Sequence, residues 1–374
     1  MKQLYILFFI FLLLSCKSKD NVSRSFDREI YSPENSSNFS IDEDTESSEI
    51  LITVNDPWQG AENIGRKLLI TDDKNIPEDF DGEILKGKAE RIICMSSTHI
   101  AMLDALDALD KIVGVSGKNY ISNPKLLADD SFIPDVGYEG NVDYEAIVAA
   151  NPDLVLLFSI NGASGMELKL RELGIPYLYI GDYLEENPLG KVEWIIPVAQ
   201  VIGEREKGIE IYNEIKNNYN SLKEKVAQDN LERPKIMVNA PFADSWFMPS
   251  SKSYVAYMIN DAGAEYIYKK NTGNSTFPID LEAALQLVTH ADYWINIGNV
   301  DSMDELKSSF PKFVNADCVV KGNVYNNNLK SSPGGGNDCY ESGAVRQDLI
   351  LRDLIKIFHP EMVTEDFTYY KKLE

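Results

Sequence analysis

The sequence predicts an α/β protein with mainly parallel sheets, built as two lobes that are joined by a single long helix. In both halves of the chain, short apolar runs alternate with helix-like segments, which is typical of parallel sheets covered by helices. Between the halves, apolar residues recur at three- and four-residue intervals from Ile209 to Val226. The chain of 374 residues is long enough for two lobes of ordinary domain size.

The chain starts with a candidate targeting segment. Lys2 precedes an apolar run from Leu4 to Leu14, which is too short to span a membrane as a stable helix. The residues that end at Cys16, Leu-Leu-Ser-Cys, resemble the lipobox of bacterial lipoproteins. The resemblance implies cleavage before Cys16 and a lipid on its thiol, hence a protein anchored in the bacterial cell envelope, facing the periplasm or the cell surface. A plain secretory peptide with a chance cysteine is the alternative.

Changes in composition divide the chain into five expected segments. Residues 1–16 are the signal peptide with its lipobox cysteine. Residues 17–49 are rich in Ser, Asn, Asp and Glu and poor in large apolar residues, which predicts a flexible tether. Residues 50–190 are expected to form the first lobe, residues 191–228 the linking helices, and residues 229–374 the second lobe.

The first lobe is organised around a strand, a polar turn and a helix. The apolar run from Arg91 to Ser96 predicts a buried strand, and the hydroxyls of Ser97 and Thr98 follow it at the start of a helix. Ligands bind at such turns in open α/β sheets, although an ordinary capped helix has the same pattern. The second half repeats one motif of the first. Asp143 and Asp280 each begin a short helix that leads into an apolar strand, which indicates a duplicated lobe.

Composition excludes several classes of function. The formal net charge of −23 argues against nucleic-acid binding and against charge-driven adhesion to anionic membranes. The cysteines show no metal-type spacing, while Cys318 and Cys339 could pair in an oxidising compartment or remain free. The sequence shows no nucleophile elbow, phosphate loop or His/Asp cluster, so a metal-dependent hydrolase is the weaker alternative. No cofactor and no protein-bound metal are expected.

The chain resembles the periplasmic binding proteins of ABC importers for iron–siderophore, haem and cobalamin. The resemblance covers about Arg91 to Met362 and rests on three stretches taken in order. The first is Ile-Ile-Cys-Met-Ser-Ser-Thr-His at 92–99, with its helix and the strand that follows. The second is Asn-Pro-Asp-Leu-Val-Leu at 151–156, with the residues before it. The third is Asp-Ala-Gly-Ala-Glu-Tyr-Ile at 261–267, together with Ala-Asp-Tyr-Trp at 291–294. The family implies two α/β lobes, a rigid linking helix and a ligand cleft between the lobes.

The resemblance also implies that one exposed glutamate on each lobe docks on arginines of the membrane permease. Glu265 matches the position on the second lobe. The first-lobe position falls at Ala101, and Asp104, one helical turn further on, could substitute for it. A solvated surface acid is the plain alternative for Glu265.

Turns at the ends of the strands supply the candidate ligand-binding residues. Aromatic side chains are expected to form walls for a large rigid chelate, although each aromatic could instead belong to a core. His99 could ligate a metal, but a lone histidine at a helix start is more often a hydrogen-bonded structural residue. The expected ligand-binding residues are Ser97, Thr98, His99, Tyr120, Tyr138, Trp246, Phe247, Asn337 and Tyr340.

These features together predict a monomer that captures a metal chelate and delivers it to an ABC importer. The candidate turns contain Lys118 but no arginine, which disfavours ferric citrate and anionic siderophores and is compatible with cobalamin or a neutral hydroxamate chelate. A surface-exposed haem or corrinoid scavenger that works with an outer-membrane transporter is the second possibility.

Overall fold

The computed structural model describes residues 25–73, 76, 80–128, 133–229, 231–273 and 275–374. The expected signal peptide and Cys16 lie outside the described residues. Among the described residues, no helix has both the length and the apolar character needed to cross a membrane.

A five-stranded sheet precedes the first lobe. Its strands, adjacent in chain order, are β1 Arg28–Tyr31, β2 Phe39–Glu43, β3 Ile50–Asn55, β4 Gly65–Thr71 and β5 Glu83–Lys86. The flexible tether predicted for residues 17–49 is therefore wrong for residues 25–49. Phe39 and Ile41 alternate with polar residues, so one face of β2 is apolar and packs into the core of the first lobe. The low apolar content of the whole segment concealed this two-residue period.

The first lobe holds a parallel sheet in the order β11-β10-β6-β7. The apolar runs predicted as strands form these four strands, and three of them are buried throughout, as expected for a sheet covered on both faces. The elements are β6 Ile92–Cys94, α1 Ser97–Ala105, β7 Ile112–Val115, α2 Pro124–Ala128, β8 Gly137–Tyr138, β9 Asn141–Val142, α3 Tyr144–Ala150, β10 Leu154–Leu157, α4 Met166–Leu173 and β11 Tyr177–Tyr179.

Three helices link the lobes: α5 Pro188–Glu193, α6 Ile195–Val201 and α7 Arg205–Gln228. Helix α7 has 24 residues and is about 36 Å long at 1.5 Å per residue. Tyr212 and Ile215 near its middle belong to the core of the first lobe, whereas Tyr219 and Val226 belong to the core of the second. One helix face thus anchors both lobes, which confirms the predicted long linking helix.

The second lobe has a five-stranded sheet, β15-β12-β17-β18-β19, which is parallel except for β19. A small antiparallel sheet, β13-β14-β16, packs beside it. The elements are β12 Lys235–Val238, β13 Pro241–Phe242, β14 Ser245–Met248, α8 Tyr254–Asp261, β15 Glu265–Tyr266, β16 Phe277–Asp280, α9 Leu281–Thr289, β17 Tyr293–Ile295, α10 Met303–Ser309, α11 Asp317–Val320, β18 Val324–Asn326, α12 Ser342–Val345, α13 Gln347–Phe358 and β19 Lys371–Lys372.

The motif repeated in the sequence is repeated in the structure. Asp143 caps α3 by accepting a hydrogen bond from the Ala146 N–H at 2.9 Å, and Asp280 caps α9 by accepting one from Ala283 at 2.7 Å. Each helix then leads into a central strand of its parallel sheet, β10 or β17. The two lobes therefore share this capped-helix-to-strand unit.

Candidate functional site

A cavity of about 250 Å³ lies where the carboxyl ends of the two parallel sheets face each other. Thr98 follows β6 and Asp182 follows β11 on the first lobe, while Asn296 follows β17 and Asn327 follows β18 on the second. Ligand sites in open α/β sheets lie at such strand ends. Other lining residues are Tyr183, Lys191, Tyr254, Tyr340, Gln347 and Tyr370. Both lobes thus contribute to one site.

Tyrosines form much of the cavity wall. Tyr340 is 54 % exposed, and the buried Tyr370 donates a hydrogen bond to Asn296 Oδ1 at 2.9 Å. Burial raises the pKa of Tyr183 to about 12 and also raises the pKa values of Tyr254 and Tyr370. These three hydroxyls are therefore neutral near pH 7, and the wall combines broad apolar faces with neutral polar groups.

A buried ion pair lies at the first-lobe side of the cavity. Lys191 Nζ donates a hydrogen bond to the Asp182 carbonyl at 2.9 Å and lies 3.5 Å from Asp182 Oδ2. The same ammonium is 4.9 Å from the centre of the Tyr254 ring, so it also makes a cation–π contact with the second lobe. Thr98 Oγ1 donates to Asp182 Oδ1 at 3.3 Å.

His99 does not line this cavity. Its side chain is fully buried, and its ring lies edge-on to Phe158 with the ring centres 6.4 Å apart. Burial lowers the pKa of His99 to about 4, so the imidazole is neutral. Each residue of a helix is rotated by about 100° from the one before it, so Thr98 meets the cavity while His99 turns into the core. His99 therefore lies in the core of the first lobe, away from the cavity.

Trp246 is also a core residue. Its ring centre lies 5.3 Å from that of Trp294 and 5.4 Å from that of Phe313, and its Nε1–H donates to the Val238 carbonyl at 2.9 Å. Trp246 is therefore packed in the core of the second lobe and does not line the cavity. Side chains alternate along β14, so Trp246 faces inward while its neighbour Phe247 is exposed on the small sheet and does not line the cavity.

Of the remaining predicted residues, Thr98 and Tyr340 line the cavity, whereas Ser97, Tyr120, Tyr138 and Asn337 do not. Ser97 is half-buried at the start of α1, and Tyr120 and Tyr138 are exposed. Asn337 Nδ2 lies 3.5 Å from Oδ1 of the cavity residue Asn327. Sequence reasoning missed Asp182 and Tyr254, although both follow strands, and it had no signal for Lys191 within α5.

A glycine-rich loop of the second lobe, residues 331–338, rests directly on the first lobe. A Cβ added at Gly334 would lie 1.9 Å from the Asn119 carbonyl oxygen, and one at Gly336 would lie 2.2 Å from that of Tyr120. The glycines therefore permit this close backbone approach. Just after this loop, Glu341 accepts hydrogen bonds from the backbone N–H groups of Ser122 at 2.6 Å and Asn123 at 2.9 Å.

The two candidate docking acids are already paired within the chain. Glu265 lies 2.9 Å from Lys269 Nζ, and this contact lowers its pKa. Asp104 accepts hydrogen bonds from Asn123 Nδ2 and Lys125 Nζ, both at 2.8 Å. Glu265 and Asp104 are partly exposed, whereas Ala101 is buried.

In the described part of the chain, no group of three or more His, Cys, Asp or Glu residues is placed to hold a metal ion. Cys94, Cys318 and Cys339 are buried free thiols, so Cys318 and Cys339 are not paired.

Comparison with solved structures shows the same fold. The periplasmic haem-binding protein of Pseudomonas aeruginosa matches with a TM-score of 0.61 and 15 % identity, covering 76 % of this chain and 98 % of that one. The periplasmic haem-binding protein RhuT of Roseiflexus sp. RS-1 matches with a TM-score of 0.57 and 18 % identity, covering 73 % and 98 %. A periplasmic binding protein of Veillonella parvula matches with a TM-score of 0.60 and 14 % identity, covering 83 % and 98 %.

Two archaeal proteins are similar in sequence. An uncharacterized lipoprotein of Methanocaldococcus jannaschii is 26 % identical over 283 residues, which is 72 % of this chain and 65 % of that protein. A second uncharacterized lipoprotein of the same organism is 27 % identical over 335 residues, which is 84 % of this chain and 82 % of that protein. The chain thus spans a little under two thirds of the first relative.

The model of the family described as "Periplasmic binding protein" matches residues 92–326, from β6 through β18. The match includes the first lobe, all three linking helices and most of the second sheet. It confirms the expectation of a binding protein rather than an enzyme. On this match and the shared two-lobe architecture, the chain belongs to the periplasmic binding protein family.

Proposed function

We propose that this protein captures a metal chelate in the cavity between its lobes and delivers it to an ABC importer, while a lipid on Cys16 anchors it in the cell envelope. The observation that carries the proposal is the cavity itself, which both lobes line at the carboxyl ends of their sheets. Lobes that meet around a ligand can exclude water from it and then release it when they separate.

The cavity wall supports a large, rigid, partly apolar ligand. Tyr254, Tyr340 and Tyr370 offer ring faces, and such faces contribute contact area at low cost in conformational entropy. The similar proteins of Pseudomonas aeruginosa and Roseiflexus sp. RS-1 are haem-binding proteins, which supports a macrocyclic or siderophore-bound metal as the ligand class for this chain as well. The candidates are an iron–siderophore, a corrinoid such as cobalamin, and haem.

Calorimetric titration of the chain from residue 16, carrying Cys16→Ser to prevent lipidation, tests the proposal. The probes are cyanocobalamin, a ferrichrome-type hydroxamate, haem and ferric citrate. We expect saturable binding of at least one chelate, and Tyr340→Ala should weaken it at least about tenfold because the ring lines the cavity. Calorimetry is preferable to tryptophan fluorescence, because Trp58, Trp194, Trp246 and Trp294 are all buried.

Tyr138→Ala is the matched control, since this exposed tyrosine lies outside the cavity. Failure of all four chelates to bind would contradict the proposed function. Equal losses from Tyr340→Ala and Tyr138→Ala would contradict the proposed location of the site.

The partly exposed acids Glu265 and Asp104 are the proposed permease contacts. Replacing both with alanine should reduce chelate uptake by cells several-fold while leaving the dissociation constant of the purified protein unchanged, because neither residue lines the cavity. Uptake assays with Glu172→Ala, an exposed first-lobe acid, serve as the control. Unchanged uptake by the double variant would remove these residues from the proposal.

A further inference from the structure

The cavity contains two buried oxygen atoms that lack hydrogen-bond donors. Asp182 and Gln347 are each 2 % exposed, and both line the cavity, one from each lobe. Asp182 Oδ2 and Gln347 Oε1 have no hydrogen-bond partner among the described residues. A buried acceptor left without a donor costs about 1–3 kcal/mol, so a ligand that supplies the donor gains affinity.

The surrounding contacts fix which atoms remain available. Gln347 Nε2 donates to the Gly343 carbonyl at 2.8 Å, which leaves the amide oxygen as the free end of that side chain. Asp182 Oδ1 accepts the Thr98 hydroxyl, and Oδ2 has only the Lys191 ammonium nearby, at 3.5 Å, beyond the range of a strong hydrogen bond. The cavity therefore offers acceptors in fixed positions.

The cavity has little to offer an anion. Among the described residues that line it, Lys191 is the one cation and Asp182 the one anion, so the lining is neutral overall. The Lys191 side chain is 9 % exposed, and its ammonium is already held by the Asp182 carbonyl and the Tyr254 ring. A ligand carboxylate would lie near Asp182 without a free cation to balance it, and such juxtaposition of like charges is costly.

We infer that Asp182 and Gln347 select a chelate whose periphery carries N–H donors, such as carboxamides or amines, over one whose periphery carries carboxylates. This inference rests on the proposed function and adds the chemical class of the cargo. A corrinoid, whose ring bears carboxamide groups, fits the acceptors, whereas haem and ferric citrate present carboxylates to the same place. Specificity of this kind is large, because a mismatch leaves buried polar groups unpaired.

The test compares cyanocobalamin with a cyanocobalamin derivative in which one peripheral carboxamide is hydrolysed to a carboxylate, and with haem and ferric citrate. We expect the wild-type chain to bind cyanocobalamin at least about tenfold more tightly than the carboxylate-bearing ligands. Asp182→Asn keeps the shape of the side chain but removes its charge and turns one acceptor into a donor. It should lower the affinity for cyanocobalamin about tenfold and raise the affinity for the carboxylate derivative. General damage to the fold does not produce such a change of preference.

Gln347→Met is the second variant, because it removes the acceptor at similar volume and keeps the test decisive if Asp182→Asn does not fold. Asp110→Asn, an exposed acid outside the cavity, is the control. Tightest binding of haem or ferric citrate, or unchanged cyanocobalamin affinity in both variants, overturns the inference but leaves the proposed function intact. If none of the chelates binds, the result contradicts both the proposed function and this inference.

Discussion

Replacing Glu193 with alanine is expected to destabilise the folded protein by about 3–5 kcal/mol. Glu193 is fully buried on α5, and its carboxylate accepts hydrogen bonds from the backbone N–H groups of Glu34, Asn35 and Ser36 at 2.7, 2.8 and 2.7 Å. The Tyr31 hydroxyl also donates to it, at 2.6 Å. Alanine leaves these donors without their acceptor and creates a cavity. Urea denaturation measures the loss.

The effect should begin in the N-terminal sheet, because one donor lies at the end of β1 and the other three lie in the segment that joins β1 to β2. Hydrogen exchange in residues 28–43 should therefore rise more than exchange in the parallel sheet of the second lobe. Glu186→Ala, an exposed acid two residues before α5 begins at Pro188, is the control and should cost less than about 1 kcal/mol. A similarly small cost for Glu193→Ala would show that this contact does not hold the sheet.

Ionisation of Glu341, which lies between the lobes, is expected to lower the free energy of unfolding as the pH rises. Burial raises the pKa of Glu341 from 4.5 to about 7, and the nearby Asp338 and Asp104 act in the same direction. The backbone N–H groups of Ser122 and Asn123 oppose this shift but do not cancel it. Because the folded-state pKa is raised, the stabilising contribution is fully present below about pH 4.5 and is lost as the pH rises through about 7. The shift corresponds to about 3 kcal/mol.

Measuring the free energy of unfolding at several values from about pH 5 to about pH 8 checks this prediction. Glu341→Gln cannot ionise, so its stability should fall less over this range than that of the wild type. The two proteins are compared by the slope of unfolding free energy against pH and not by its absolute value. The amide has only one oxygen for the two N–H donors, so the variant loses a hydrogen bond at every pH. Glu282→Gln, an exposed acid at the start of α9, is the control and should follow the wild type. Parallel curves for Glu341→Gln and the wild type would rule out this residue as the source of the pH dependence.

The parallel sheets and the linking helix could be predicted because their signals are local. Apolar strands such as Leu154–Leu157 are buried on both faces, and the caps at Asp143 and Asp280 lie within a few residues of the N–H groups that they accept from. The period of α7 likewise indicates its buried face without knowledge of the partner.

The site was less predictable because its contacts join distant parts of the chain. Lys191 reaches Tyr254 across the two lobes, and a lysine within a helix carries no signal of such a partner. Whether Trp246 or Phe247 is buried depends on which face of β14 packs inward. A shift of one residue in the strand register would bury Phe247 and expose Trp246. For β1 and β2, the partners that bury Phe39 and Ile41 lie in the first lobe, so composition alone indicated too little apolar surface to fold.

If Cys16 carries a lipid, as proposed, the N-terminal sheet limits how far the lobes can lie from the membrane. Residues 17–24 then separate the anchor from Ser25, the first residue that the structure describes. Even fully extended, that many residues span at most about 30 Å. The proposed anchor would therefore confine the lobes to a thin layer at the bilayer surface, where they meet a permease by diffusion in two dimensions. In that setting a weak docking contact would be sufficient for repeated delivery. Reaching a carrier in an opposing membrane would require a much longer tether.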